Sequence, residues 1–496
     1  MEKQAKQVIV IGSGVAGLAV AIRLALQGKQ VKVYEKNAYP GGKLTQIKLG
    51  AYTFDAGPSL FTLPHLVLEL YQAAGLDATA YFEYEEIEEA FYYHFSDNSS
   101  FYTNKDETRF REQLSKLFAP REVDQFFQHL QRAKLRYEAT APLFLESSLH
   151  EPSTYLSKNV LPAITKLPKL GLLGSMHGEN KSIFTDHRLQ QYFDRFATYN
   201  GSNPYEAPAL LNLIPHLEHG FGTFFPKKGM HQITQALFAL AQKCGVQFYF
   251  NSKVDKILIS SRKAIGIRFA DGAEQLSDLV VCNADIRFAY KNLIPEIPAP
   301  KAFERLASSS SAMIFYWGVK GIFPSLRLHN VFFSENYQAE FDAIFNGKGY
   351  SDDPTIYINI GSKCVAEDAP AEGENWFVMV NVAADKGQDW DSIRAALRAS
   401  ILEKMSRILQ RDISPLIEEE DYLDPRRIET RTASIGGGLY GHASNERMAA
   451  FWRQANKSSR VKNLYFCGGS VHPGGGIPLC LNSAKITSEL IAKYEN

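Results

Sequence analysis

The chain has 496 residues, with 54 Lys+Arg against 54 Asp+Glu, so it carries no net charge and makes no electrostatic case for binding nucleic acid. Its length allows two or three domain-sized units with a large core, and its 32 Phe and 24 Tyr could line an apolar cavity as well as fill that core. No run of about 18 uninterrupted apolar residues occurs, so no transmembrane helix is predicted. The cysteines (Cys244, Cys282, Cys364, Cys467 and Cys480) form no C-x-x-C pair and read as reduced core residues of a cytoplasmic protein. The histidines show no metal-binding spacing, and no metal site is expected.

The first element is the apolar β-branched run 8–11, which predicts a buried parallel strand. Gly12, Gly14 and Gly17 follow at the G-x-G-x-x-G spacing and open an alanine-rich helical pattern. Gly12 allows a tight turn, Gly14 lets the backbone approach a pyrophosphate, and Gly17 lets the helix pack closely. The helix N-terminus then offers free N–H groups and the positive end of its dipole to phosphate. A second strand over 31–34 ends at Glu35, 18 residues after Gly17. There a carboxylate can accept hydrogen bonds from both ribose hydroxyls, and it repels a 2′-phosphate. Three glycines and Arg23 interrupt the apolar run, and no small-residue cleavage site precedes Glu35, which argues against a secretory leader.

A strand over 51–54 ends in the turn Gly57-Pro58-Ser59, and 63–75 reads as a helix closed by Gly75. Residues 87–103 alternate as antiparallel strands, and 106–140 are helical. The window 152–178 contains Lys158, Lys166 and Lys169 among leucines and isoleucines but no Asp or Glu. Two readings stand for it: an amphipathic segment on an anionic membrane surface, or a helix pair forming a lid. Residues 229–250 predict a helix and a strand returning to the first sheet, with 246–254 as that strand. A small antiparallel sheet with a turn at Asp271-Gly272 follows, then a parallel strand through 279–285. Residues 311–382 carry several strands, and 391–410 form an amphipathic helix. The chain closes with a strand ending at Cys467-Gly468-Gly469, the run His472-Pro473-Gly474-Gly475-Gly476-Ile477-Pro478, and a helix to about Lys493, with Pro478 suited to its first turn. Dinucleotide elements at both ends and in the middle predict a discontinuous cofactor domain, which fits a flavoprotein better than a nicotinamide dehydrogenase. A terminal glycine-rich loop and helix N-terminus can meet an isoalloxazine ring and stabilise its reduced anionic form.

The chain resembles the FAD-dependent carotenoid desaturases of the bacterial phytoene-desaturase family nearly end to end. The resemblance rests on 12–17, Glu35, Gly41-Gly42-Lys43, Asp55-Ala56-Gly57-Pro58, Phe225-Pro226-Lys227-Lys228-Gly229-Met230, Asn283-Ala284-Asp285 and the terminal 472–478 signature. Residues 197–205 are similar to the branch acting on hydroxylated acyclic carotenoids. Lys228 stands where the family has Gly, and Ser470-Val471 where it has Gly-Thr; neither change removes a phosphate-binding group.

The resemblance implies an α/β fold: a discontinuous Rossmann-like FAD domain (1–75, 229–300, 455–496), an α+β substrate domain (76–150, 185–228, 301–454) and a helical membrane-facing region (152–184). It implies FAD contacts from Gly12, Ser13, Gly14, Ala16, Gly17, Glu35, Lys36, Gly42, Lys43, Gly57, Pro58, Ser59, Val254, Asn283, Gly468, Gly469, Gly476, Ile477 and Pro478. It also implies 3,4-desaturation of a 1-hydroxylated carotenoid taken from the inner face of the membrane, with oxygen or a quinone as acceptor. Asp194 and Glu218 are the candidate proton acceptors, each weighed against a structural role, and His472 is read as shaping its loop. Other readings kept open are a phytoene desaturase, a carotene isomerase or retinol saturase, an amine oxidase, and a prenyl-chain escort of the same fold.

Overall fold

The computed structural model describes residues 5–156, 174–304, 307–446 and 449–495. The strand expected at 8–11 is Gln7–Ile11, whose last four residues are buried, as a parallel strand covered on both faces requires. It lies at the centre of a five-stranded parallel sheet ordered Leu464–Phe466, Leu279–Cys282, Gln7–Ile11, Gln30–Tyr34, Gln247–Tyr249. Its strands therefore come from the beginning, middle and end of the chain. Only the helix Val15–Leu26 follows the first strand directly, and it is buried along nearly its whole length because it packs between His231–Lys243 and the C-terminal helix Ile477–Tyr494.

The stretch 246–254 is not one strand. Gln247–Tyr249 joins the parallel sheet, Asn251 turns the chain at φ 52°, and Val254 opens a separate antiparallel sheet of Val254–Ser260, Lys263–Phe269 and Glu274–Leu276. The helix expected over 106–140 is likewise two, Glu107–Ser115 and Pro120–Phe144, because Pro120 starts a new helix at its first position.

The alternating 311–382 region builds most of a seven-stranded sheet ordered Ile417–Leu423, Ser311–Lys320, Gly373–Val382, Ile356–Ile360, His329–Phe332, Phe91–His94, Ser100–Tyr102. The period-2 alternation explains its two faces. Phe315, Trp317, Trp376 and Val378 pack with Trp390, Ile393, Leu397 and Ile401 of the helix Trp390–Leu409. Ile314 and Phe377 point the other way, where they join Tyr52 and Phe54 and line the main cavity. A helix, Tyr337–Phe345, interrupts the strands; Tyr337, Phe341 and Ile344 are spaced for a helix, and the Asn336 side chain caps it through Ala339 N–H.

Among the described residues no helix is long and apolar enough to cross a membrane. Residues 157–173, which carry most of the expected membrane-facing region, lie outside the described residues.

Candidate functional site

The first glycine turn is built by close backbone approach. Gly12 adopts φ +92°, and a Cβ on Gly17 would sit 2.1 Å from the Gly12 carbonyl oxygen. Gly17 thus closes the turn on itself more than it brings the helix onto the sheet. Gly14 and Gly41 face each other, and a Cβ on Gly42 would meet Gly14 Cα at 3.2 Å. Asn283, at the end of the middle parallel strand, donates from Nδ2 to the Gly12 carbonyl at 3.4 Å. The helix Val15–Leu26 has no side-chain cap, so its first N–H groups stay available at the cavity wall.

Glu35 is buried just after Gln30–Tyr34. Its Oε2 accepts from Ser13 N at 2.8 Å and Ser13 Oγ at 2.9 Å, and its Oε1 accepts from Asn37 N at 2.9 Å. A carboxylate offers about four acceptor directions, so roughly one remains, on Oε1. The expectation that it binds both ribose hydroxyls narrows accordingly.

Lys36 donates to the Thr430 carbonyl at 2.7 Å, and Lys43 to those of Gly438 and Leu439 at 3.1 and 2.7 Å. Burial lowers the Lys43 pKa, and the nearby Asp285 partly offsets that. A Cβ on Gly57 would fall 1.8 Å from the Lys43 carbonyl oxygen, which explains glycine there. Ser59 Oγ pairs with Tyr357 OH at 2.7 Å. Asp55 accepts from Met230 N at 2.7 Å and His231 N at 2.8 Å, capping the helix His231–Lys243 and tying two sequence motifs together. Gly468 N donates to Ser483 Oγ at 3.0 Å, and Ser470, at one of the departures from the family pattern, accepts from Ile286 N at 2.9 Å.

In the terminal loop, Gly476 caps the helix Ile477–Tyr494 at φ +104°, and a Cβ there would meet nothing within 4 Å. Gly475 differs: its added Cβ would lie 2.6 Å from Tyr440 Cδ1. Both glycines line the cavity, but the bare backbone at 475 makes room for Tyr440, whereas Gly476 has open space where a Cβ would stand. His472 is buried, its Nε2 2.7 Å from the Ser147 carbonyl oxygen, and burial holds its pKa near 3, so it is a neutral ring shaping the loop.

These segments enclose a cavity of about 1000 Å³. Of the expected cofactor residues, Gly12, Gly14, Ala16, Glu35, Lys36, Gly42, Lys43, Gly57, Pro58, Ser59, Val254, Asn283, Gly468, Gly469, Gly476, Ile477 and Pro478 line it. Ser13 and Gly17 do not; they brace the lining from behind through Glu35 and Gly12. The same cavity has an apolar wall of Tyr137, Phe144, Leu210, Leu211, Ile214 and Leu217, joined by Ile314, Phe377 and Met379 of the large sheet.

Neither candidate proton acceptor lines the cavity. Asp194 is buried, with Oδ2 2.6 Å from His177 Nδ1 and Oδ1 accepting from Asn180 Nδ2 at 2.8 Å. Glu218 is buried against Arg195, whose Nη2 reaches both its oxygens at 3.0 and 3.1 Å. Arg195 itself does line the cavity, its guanidinium 4.5 to 5.2 Å from the ring centres of Phe91, Tyr93, Phe196 and Tyr199. A second buried arginine, Arg453, also lines it and was not foreseen. The sign in the sequence is a charge directly after the apolar run Ala449-Ala450-Phe451-Trp452.

A parallel sheet whose first strand ends in a glycine turn, glycines at 17, 41 and 57 that leave no room for a Cβ, and an apolar extension of one cavity together fit a flavoprotein oxidoreductase. The model of the flavin-containing amine oxidoreductase family matches residues 15–492, and the chain belongs to that family, with FAD as its cofactor. It is 49% identical over 486 residues to the 1-hydroxycarotenoid 3,4-desaturase of Flavobacterium sp. (strain P99-3), covering 98% of this chain and 99% of that one. It is 30% identical over 497 residues to the zeta-carotene-forming phytoene desaturase of Myxococcus xanthus, covering 99% and 95%. Among solved structures, an oxidoreductase from Methanosarcina mazei superposes with TM-score 0.65 at 16% identity over 97% of this chain and 100% of that one. Putrescine oxidase bound to putrescine superposes with TM-score 0.63 at 13% identity over 99% of both chains; such distant likenesses bear on the fold alone.

Proposed function

We propose that the protein is an FAD-dependent desaturase that introduces a C=C bond into an acyclic, 1-hydroxylated carotenoid at the 3,4 position. The observation that carries this reading is the continuity of the glycine-lined cleft with an apolar wall in one cavity, in a chain so close to a hydroxycarotenoid desaturase. A long polyene has little to bind except apolar surface, and the reaction needs one allylic C–H held at a fixed place and kept dry.

FAD fits the residues present. The N–H groups at the start of Val15–Leu26, with Gly12 and Gly14, suit the pyrophosphate, and the open acceptor site on Glu35 Oε1 suits one adenosine ribose hydroxyl. Gly476 and the uncapped N-terminus of Ile477–Tyr494 suit the electron-rich edge of the ring system. Bound FAD would supply the acceptor for a hydride from the allylic C–H, while the neighbouring carbon loses a proton to solvent and the electron pair of that second C–H bond becomes the new C=C bond. The rest falls to the chain. The seven-stranded sheet and the leucine-rich wall align the polyene and exclude water. Arg195, neutralised by Glu218, stiffens the aromatic wall. Asp194 and Glu218 act by positioning neighbours, because neither lines the cavity and each is paired with a buried partner.

We read the acid-free window 152–178 as the contact with an anionic membrane surface, on the inner face, through which the carotenoid enters, with oxygen or a quinone as the final acceptor. The test is product analysis with FAD-loaded protein and a 1-hydroxylated acyclic carotenoid in liposomes. A product two hydrogens lighter and red-shifted is expected. A product of unchanged mass, or one two hydrogens heavier, overturns the reading in favour of isomerisation or saturation.

A further inference from the structure

Arg453 is a buried cation with no acid beside it among the described residues. The residue is 3% exposed, and burial pulls its pKa down to about 10. It lies against the terminal glycine loop: a Cβ on Gly474 would come 3.6 Å from its Cζ. Nη2 donates to the His442 carbonyl oxygen at 2.7 Å and reaches Asn200 Oδ1 at 3.4 Å and Ser444 Oγ at 3.5 Å. Asn200 Nδ2 donates to Ser444 Oγ at 2.6 Å. Nη1 is buried and has no hydrogen-bond partner among the described residues. Arg453, Asn200 and Ser444 all line the cavity.

A guanidinium only donates, so the unspent Nη1 asks for an acceptor. The neighbouring Asn200 Oδ1 receives only one long contact, and so asks for a donor. A carboxylate ligand would satisfy the first and be repelled by the second. An alcohol satisfies both, because its oxygen accepts while its O–H donates. An apolar chain end in the same place would leave both groups unpaired, which is how a polar pocket rejects an analogue that lacks the hydroxyl.

We propose that Arg453, Asn200 and Ser444 form the pocket that receives the substrate hydroxyl and makes the protein prefer hydroxylated over non-hydroxylated acyclic carotenoids. This inference rests on the desaturase reading above. The test compares kcat/KM, per FAD-loaded enzyme, for two acyclic carotenoids of equal length and conjugation, with and without the 1-hydroxyl. The proteins are the wild type, Asn200→Leu and Ser444→Ala; the serine variant removes a single oxygen and serves if the asparagine variant does not fold. The preference for the hydroxylated substrate is expected to fall about tenfold or more in the variants, a change of ratio that mere loosening of the fold does not produce. An unchanged ratio in the variants that fold overturns the inference. A wild type that desaturates both substrates equally well overturns it too while leaving the desaturase reading intact, whereas a wild type that desaturates neither refutes that reading.

Discussion

Glu35→Ala probes the cofactor site through two separable effects. The native carboxylate is 5% exposed and accepts three hydrogen bonds from Ser13 and Asn37, at 2.8, 2.9 and 2.9 Å. Alanine leaves the Ser13 and Asn37 N–H groups without their acceptor, and each unsatisfied buried donor costs about 1–3 kcal/mol. The apoprotein is therefore expected to lose roughly 2 kcal/mol or more even with no cofactor present. The one open acceptor site on Oε1 adds a charge-assisted bond to a ribose hydroxyl, worth about 1.5–3 kcal/mol. At ~1.4 kcal/mol per decade, that bond alone is about a ten- to hundredfold loss in FAD affinity. The slackened Ser13 turn adds to this by releasing the pyrophosphate cradle. Two assays separate the effects: denaturant unfolding of the apoprotein, and the FAD dissociation constant from reconstitution titration. Gln at this position is no rescue, since its amide presents a donor where one of the native donors needs an acceptor. If apoprotein stability falls and FAD affinity does not, Glu35 is only a brace for the turn, and its role at the ribose is refuted.

Gly476→Ala should lower FAD occupancy by placing a methyl in the open cavity at φ +104°, while Gly475→Val should instead destabilise the fold by ~1–3 kcal/mol through its clash with Tyr440; thermal melts and flavin absorbance distinguish them, and the reverse pattern would contradict the loop geometry. Replacing Lys158, Lys166 and Lys169 together by Glu should weaken co-sedimentation with anionic liposomes by roughly 1 kcal/mol per lost positive charge, and wild-type binding by that variant would make 152–178 a lid. Burial and the neighbouring Asp55 carboxylate push Asp368 up to about 7 from 3.8, and burial pushes Asp55 up to about 6. Both folded-state values lie above the unfolded ones, so the folded chain holds the extra protons and stability falls as pH rises from about 4 through 7. Asp368→Asn should accordingly gain ~1–3 kcal/mol relative to wild type at pH 8 over its effect at pH 4; pH-independent unfolding differences would refute the assignment.

The motifs meet in space for reasons that can be named. The Asp55 carboxylate caps the helix that begins after Met230, so the motif around Asp55 and the one around Gly229 hold each other although some 170 residues of sequence lie between them. Asn283 bonds the first glycine turn, and a Cβ on Gly468 would strike Asn283 Oδ1 at 2.8 Å. Each motif is thus the packing partner of another, and the cavity is the space they leave.

The glycine-lined half of the cavity was legible in the chain because it depends on local stereochemistry. Tight turns at Gly12 and Gly476, a carboxylate at the end of a strand and an uncapped helix start are all properties of short segments, and they appear in the structure where the spacing put them. The alternation of 311–382 likewise announced strands, because a sheet with two differently covered faces enforces a period of two. Tertiary packing decided the rest. Whether Asp194 and Glu218 face the cavity depends on His177, Asn180 and Arg195, whose proximity no spacing encodes. Gly475 looked equivalent to Gly476 until Tyr440, 35 residues upstream, took the room beside it. Arg453 became a candidate only when the folded chain placed it beside Asn200 and Ser444, with no acid in reach among the described residues. A side chain's type and local conformation are carried by its neighbours in sequence, but its charge balance and direction are set by neighbours in space.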